Sequence, residues 1–116
     1  MLLKTTTILL ILVGEAFTIV AELIASKRVA ADTAHYASIF GLMFLLFTLG
    51  GALIVAGYML GYLHFKNIWI ITALSLGTIL VVEPLLAYLV FHQLPTTGAV
   101  IGLVLGVSGI FSSLFL

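Results

Sequence analysis

The chain has 116 residues, of which 64% are hydrophobic and only 7% are charged, and its mean hydropathy is +1.42. Because a soluble domain has about 25% charged residues, this composition predicts an integral membrane protein surrounded by lipid. Four basic residues balance four acidic ones, which leaves no basic patch for nucleic acid. The absence of cysteine excludes disulfides, a thiolate nucleophile and cysteine-ligated metals. We therefore expect no cofactor, no metal and no nucleic-acid partner.

Four apolar segments are each long enough to cross the bilayer as a helix, which takes about 20 residues. The first segment follows a single lysine, as in a signal peptide, but it is too long and holds two glutamates, so we expect it to be retained. Short loops force neighbouring helices to be antiparallel. The sequence thus predicts an all-α membrane protein with four transmembrane helices in a compact antiparallel bundle, forming one domain over residues 1–116. The predicted helices cover about residues 5–26, 35–63, 68–91 and 98–116, with Thr96 or Thr97 as the N-cap of the last.

The positive charges at the two faces of the membrane are balanced. Lys4 and Lys66 lie on the side of the termini, and Lys27 and Arg28 lie on the other side. The positive-inside rule therefore indicates no preferred orientation. The balance reflects only how few charges a small protein has, or a partner chain decides the orientation, or the protein inserts in both orientations.

Glu15 lies near the middle of the first apolar segment, where a carboxylate costs about 2.5–3.5 kcal/mol on insertion scales. Glu22 projects within about 20° of Glu15 on a helix, and Thr18 falls on the same side. We predict that this polar face turns inward and that Glu15 exchanges a proton for a cationic substrate. The alternative is a protonated glutamate bonded to a neighbouring helix, or an ion pair within a larger complex. Because Glu22 lies closer to the helix end, an interfacial role competes with substrate binding there.

Glu83 and Pro84 lie together in the third segment. Proline removes one backbone hydrogen bond, so we expect a kink around residues 80–83. Such breaks are tolerated in a membrane where they line protein or a cavity. Glu83 either binds a substrate cation beside the kink or caps the freed backbone amides.

Aromatic side chains form one stripe of the second helix, at Tyr36, Phe40, Phe44 and Phe47. These rings could stack on an organic cation, and the alternative is packing against lipid or the protein core. The three histidines lie near different helix ends and do not have the spacing of metal ligands. Because the sequence also has no nucleophile elbow, phosphate loop or zinc motif, we expect neither enzymatic activity nor catalytic residues.

Glycines mark the expected helix-packing faces. The second helix has one GxxxG motif, at Gly57 and Gly61. The last helix has two overlapping motifs extended by a further glycine, at Gly98, Gly102, Gly106 and Gly109. Small residues let helices approach closely in lipid, but the motifs do not distinguish packing within the chain from dimerisation.

A chain of this length, with four short helices and a membrane glutamate in the first, resembles the small multidrug resistance family of the drug/metabolite transporter superfamily. Glu15 matches the family's coupling glutamate by its position within the membrane span. The residues around Glu22 are more similar in sequence to the family's pattern around that glutamate. Residues 102–105, followed by Gly109, have the spacing of the family's dimerisation motif. Residues 82–87 resemble the Glu-Pro motif of the ten-helix members of the superfamily.

The chain also departs from the family pattern. Trp69 is followed by Ile70 and Ile71, where the family has Ser or Thr and then Gly. Ser75 stands where alignment from the end of the chain places that tryptophan, and Leu23 replaces the lysine that follows the coupling glutamate. Because the chain departs from the family pattern at these positions, the resemblance does not predict that it shares the family's multidrug substrates.

The resemblance implies a homodimer, parallel or antiparallel, in which two glutamates share a central cavity. Proton release would then be coupled to substrate binding and to rocking between two open states. We accordingly expect a small proton-coupled transporter of a cationic or amphipathic organic substrate, in a bacterial or archaeal inner membrane. The alternatives are a non-transporting accessory or assembly subunit of a larger membrane complex and one half of a heteromeric transporter pair.

Overall fold

The computed structural model describes residues 2–116, and four long α-helices account for most of them. The helices are α1 (Leu2–Ala31), α2 (Tyr36–Phe65), α3 (Ile68–Phe91) and α4 (Thr97–Phe115), and a short 3-10 turn at Thr33–His35 precedes α2. All four are long and apolar enough to span a membrane, and there is no strand among the described residues. The prediction of an all-α, four-helix membrane protein is confirmed, and the chain is a multi-pass integral membrane protein.

The first helix is longer than its apolar segment. α1 has 30 residues, which corresponds to about 45 Å of helix against a hydrocarbon core of about 30 Å. Lys27 and Arg28, which we expected to follow the helix end, lie inside it. Charged residues can stay helical beyond the hydrocarbon core because the helix satisfies its own backbone groups there too. The ammonium group of Lys27 donates to the carbonyl oxygen of Val90 at 2.7 Å and so ties α1 to the end of α3.

Side chains and left-handed residues fix the turns between the helices. The side-chain oxygen of Asn67 accepts from the backbone N–H of Trp69 at 3.0 Å. The hydroxyl oxygen of Thr96 accepts from the N–H of Ala99 at 3.1 Å, so the predicted N-cap of the last helix is confirmed at Thr96. Lys66 and His92 end α2 and α3 with φ of 56° and 55°, the left-handed conformation that commonly ends a helix.

Glycines let α1 and α2 pack with their backbones close together. A Cβ added at Gly57 would lie 2.7 Å from Cγ1 of Ile11, and one added at Gly61 would lie 2.8 Å from Cγ2 of Thr7. The GxxxG motif of the second helix therefore serves packing within the chain. Ile11 and Thr7 are fully buried at this contact.

The last helix lies at the edge of the protein. α1 contacts both α2 and α3, whereas α4 contacts only α3 among the described helices. No residue of α4 is buried. A Cβ at Gly106 would lie 3.1 Å from Cδ1 of Leu80 on α3. Most of the α4 surface is therefore open to lipid or to another chain.

Candidate functional site

Glu15 is buried between α1 and α3. Its side chain is 6% exposed, as is that of Ser75, and the Ser75 hydroxyl donates a hydrogen bond to Oε1 of Glu15. These two residues are 60 positions apart in the chain. The contact brings the membrane-depth carboxyl group predicted from the sequence together with a hydroxyl group that the sequence analysis did not select.

Two glycines position α1 against α2 beside Glu15. A Cβ added at Gly14 would lie 2.8 Å from the carbonyl oxygen of Gly50, and a Cβ added at Gly50 would lie 2.8 Å from the carbonyl oxygen of Gly14. Thr18 is buried next to this contact. Its hydroxyl donates to the backbone carbonyl oxygen of Glu15 at 2.9 Å and so bonds the helix backbone, not the carboxyl group.

No basic side chain compensates the carboxyl group of Glu15 within residues 2–116. The one ion pair found in that range joins Asp32 and His35, at 2.6 Å and exposed to solvent. Burying a charge without a partner is costly. A proton or a bound cation would neutralise Glu15, and either could be exchanged for the other.

Glu22 lies in a different environment from Glu15. It is exposed and lines a pocket of about 270 Å³ between α1 and α2, together with Phe40, Phe44 and Phe47. The rings of Phe40 and Phe44 stack with their centroids 6.0 Å apart. The structure thus brings three of the predicted aromatic residues to one of the predicted glutamates. Tyr36 is the first residue of α2 and lines a neighbouring pocket of about 260 Å³ beside the end of α1.

Glu83 is half-buried on α3 and lines a cleft between α3 and α4. Its side chain accepts no hydrogen bond from any residue in 2–116, so the amide-capping alternative is not seen in the described chain. α3 itself continues without a break through Pro84. Glu22 is near enough to both Glu83 and Glu15 to be affected by their charge.

The four glycines of α4 divide into two groups. Gly106 packs against α3, as described above. A Cβ at Gly102 or Gly109 would meet no atom within 4 Å, and one at Gly98 would meet only the Thr96 hydroxyl at 4.0 Å. One glycine therefore serves packing within the chain, and the other three leave an open surface.

Ser75 is the residue of the candidate site that the sequence analysis did not select. It lies four residues after Ile71 and three before Thr78, and all three are buried. This spacing marks the face of α3 that turns toward the protein interior. A search for hydroxyl groups on the inward face of α3 would have selected both Ser75 and Thr78, without showing which of them meets Glu15.

Comparisons of this chain with protein-family models, with curated proteins and with solved structures find no match. The resemblance to the small multidrug resistance family therefore stays a prediction. The class that the structure itself defines is a four-helix, multi-pass membrane protein with a buried carboxyl group between two of its helices.

Proposed function

We propose that this chain is a small proton-coupled transporter of the drug/metabolite transporter type, in which Glu15 binds either a proton or a cationic substrate. The observation that carries the proposal is that Glu15 is buried at membrane depth with a hydroxyl partner and no basic partner in the described chain. Ionisable groups within membrane spans mark ion and substrate pathways by default.

The Ser75 hydroxyl suits a carboxyl group that changes its protonation state. A hydroxyl can donate a hydrogen bond to a carboxylate, and it can also accept one from a carboxylic acid. The same pair of side chains therefore remains hydrogen-bonded before and after proton release. A lysine or arginine partner would instead favour the charged form permanently.

The pocket at Glu22 supports an organic cation as the substrate class. Aromatic faces attract cations, and Phe40, Phe44 and Phe47 line the same small pocket as the Glu22 carboxylate. Because Glu22 is exposed and Glu15 is buried about two helical turns away on α1, a cation held at Glu22 would next reach the more deeply buried carboxyl group. Glu22 would thus act as the outer group and Glu15 as the inner one.

The open surface of α4 supports a homodimer, either parallel or antiparallel, as the working unit. Close helix packing at small residues drives association in lipid, and a Cβ added at Gly102 or Gly109 would meet no atom of the described chain within 4 Å. Two lysines on one side and a lysine and an arginine on the other are compatible with insertion in both orientations. A bacterial or archaeal inner membrane suits a chain of this size.

The test is proton release by purified protein in detergent when tetraphenylphosphonium, ethidium or a panel of alkylammonium ions is added. Glu15→Gln should abolish the release because an amide cannot exchange a proton with the cation. Asp32→Asn is the matched control, since it removes an exposed carboxyl group near the helix ends and should leave the release unchanged. A folded wild-type protein that releases no protons with any of these cations would contradict the proposal.

The open α4 surface also favours a second candidate, an accessory or assembly subunit that packs against a larger membrane partner. In that case the purified chain would be unstable alone. Glu15→Gln would then reduce recovery of the partner complex and would not affect any proton release. The stability of the isolated chain therefore separates the two functions.

A further inference from the structure

A cleft of about 590 Å³ lies between the second half of α3 and the first half of α4. This volume is in the range of small-molecule sites, which are commonly 300–1,000 Å³. Neither Glu15 nor Ser75 lines the cleft, so it is separate from the Glu15–Ser75 contact. Its use as a binding site does not depend on the proposed function.

Glu83 is the single charged residue among those that line the cleft. Most of the other lining residues are apolar or aromatic, including Leu80, Tyr88 and Phe91. The charge of Glu83 therefore favours a cation in this cleft, and the walls of the cleft favour an apolar body attached to that cation.

Pro84 leaves one backbone carbonyl oxygen near Glu83 without its usual helical donor. Proline has no N–H, so it cannot donate to the carbonyl oxygen of Leu80 one turn earlier. Leu80, Glu83 and Pro84 all line the cleft. A carboxylate and a backbone carbonyl without its usual helical donor suit a ligand that brings both positive charge and N–H donors.

We propose that the cleft between α3 and α4 binds a small amphipathic ammonium ion, with the ammonium group at Glu83 and the apolar body along Tyr88, Phe91 and Leu94. Glu83 lies eight residues before the end of α3, which is about 12 Å along the helix. A phospholipid headgroup would lie at the membrane surface, beyond Phe91, so the depth of Glu83 favours a small organic amine.

The test uses two photoreactive probes of the same shape, 4-benzoylbenzylammonium and the neutral 4-benzoylbenzyl alcohol. Each is irradiated with the purified full-length protein, and the labelled peptides are identified by mass spectrometry. The ammonium probe should label residues 79–103, and the alcohol should label them at least about tenfold less, as expected for loss of a charge-assisted hydrogen bond. Equal labelling by the two probes would overturn the proposal.

Two variants test the site, one on α3 and one on α4. Glu83→Gln should reduce labelling by the ammonium probe about tenfold or more. Gly102→Leu should also block it, because Gly102 lines the cleft and its added Cβ would meet open space. Gly109→Leu is the matched control, since Gly109 is equally open but lies outside the cleft lining. If Glu83→Gln does not fold, Gly102→Leu alone decides the question.

The remaining outcomes separate this site from the proposed transport site. Glu15→Gln should leave labelling of residues 79–103 unchanged. Labelling that is lost in Glu15→Gln, or reduced equally by Gly102→Leu and Gly109→Leu, would contradict a separate site at Glu83. Proton release that survives in Glu15→Gln would contradict the proposed function without affecting this one.

Discussion

Replacing Gly50 with alanine should force α1 and α2 apart at the level of Glu15. The new Cβ would lie 2.8 Å from the carbonyl oxygen of Gly14 and 2.9 Å from both Cβ of Phe17 and Cγ2 of Thr18. A backbone oxygen and a Cβ atom cannot rotate away, so the helix axes must separate. Overpacking of this kind costs about 1–3 kcal/mol.

Gly51→Ala is the matched control for this substitution. Gly51 is the next residue in the same helix, and a Cβ added there would meet no atom within 4 Å. Both variants gain the same helix propensity of alanine over glycine, about 1 kcal/mol. The difference between their free energies of unfolding therefore isolates the cost of the contact with α1.

The measurement is reversible unfolding in mixed micelles of mild detergent and dodecyl sulfate, followed by circular dichroism at 222 nm. Gly50→Ala should unfold with a free energy about 1–3 kcal/mol lower than that of Gly51→Ala. It should also weaken proton release, because the shift of α1 would change the position of Glu15 relative to Ser75. Equal stability of the two variants would refute the close approach of α1 and α2 at Gly50.

Three further predictions concern other parts of the chain. Ser75→Ala should lower the free energy of unfolding by about 1–3 kcal/mol, because it leaves the buried Glu15 carboxyl group unpaired. In the same unfolding assay, Ser75→Thr should keep most of the wild-type stability because it retains a hydroxyl group. His92→Gly should raise the free energy of unfolding by about 1 kcal/mol, because glycine adopts a φ of 55° without strain. His64→Gly is the control: it should lower the free energy of unfolding by a similar amount, because glycine is unfavourable inside a helix such as α2. Replacing Lys27 and Arg28 by alanine leaves both remaining basic residues on the side of the termini, so the protein should insert in one orientation. The assay uses a cysteine added after the last residue of this cysteine-free chain. That cysteine should react with an impermeant maleimide from one side of the membrane only.

The sequence was sufficient to predict the number of helices and the fold class, because both follow from the length of the apolar segments. The helix ends were less predictable. Lys27 and Arg28 continue α1 because a charged side chain stops a membrane span without stopping a helix. Thr96 was predictable as an N-cap because its hydroxyl bonds a backbone N–H only three residues away.

The candidate site was only partly predictable, for a different physical reason. The depth of Glu15 follows from its position in one segment, and the pairing of Glu22 with Phe40 and Phe44 needs only two adjacent helices. The partner of Glu15 depends on the register between α1 and α3, which are not consecutive. That register is set by the turns and by the glycine contact with α2, and no local pattern in the sequence records it.

The packing of the helices indicates which of them can move. α1 and α2 meet through backbone atoms at Gly14 and Gly50, and such a contact has few alternative arrangements. α3 reaches the buried carboxyl group through the side-chain hydroxyl of Ser75, which can exchange one hydrogen-bond partner for another. In a transport cycle, α1 and α2 would therefore move as one body and α3 would move against them. The Glu15–Ser75 hydrogen bond lies at the boundary between those bodies, where a change of protonation can be coupled to a change of conformation.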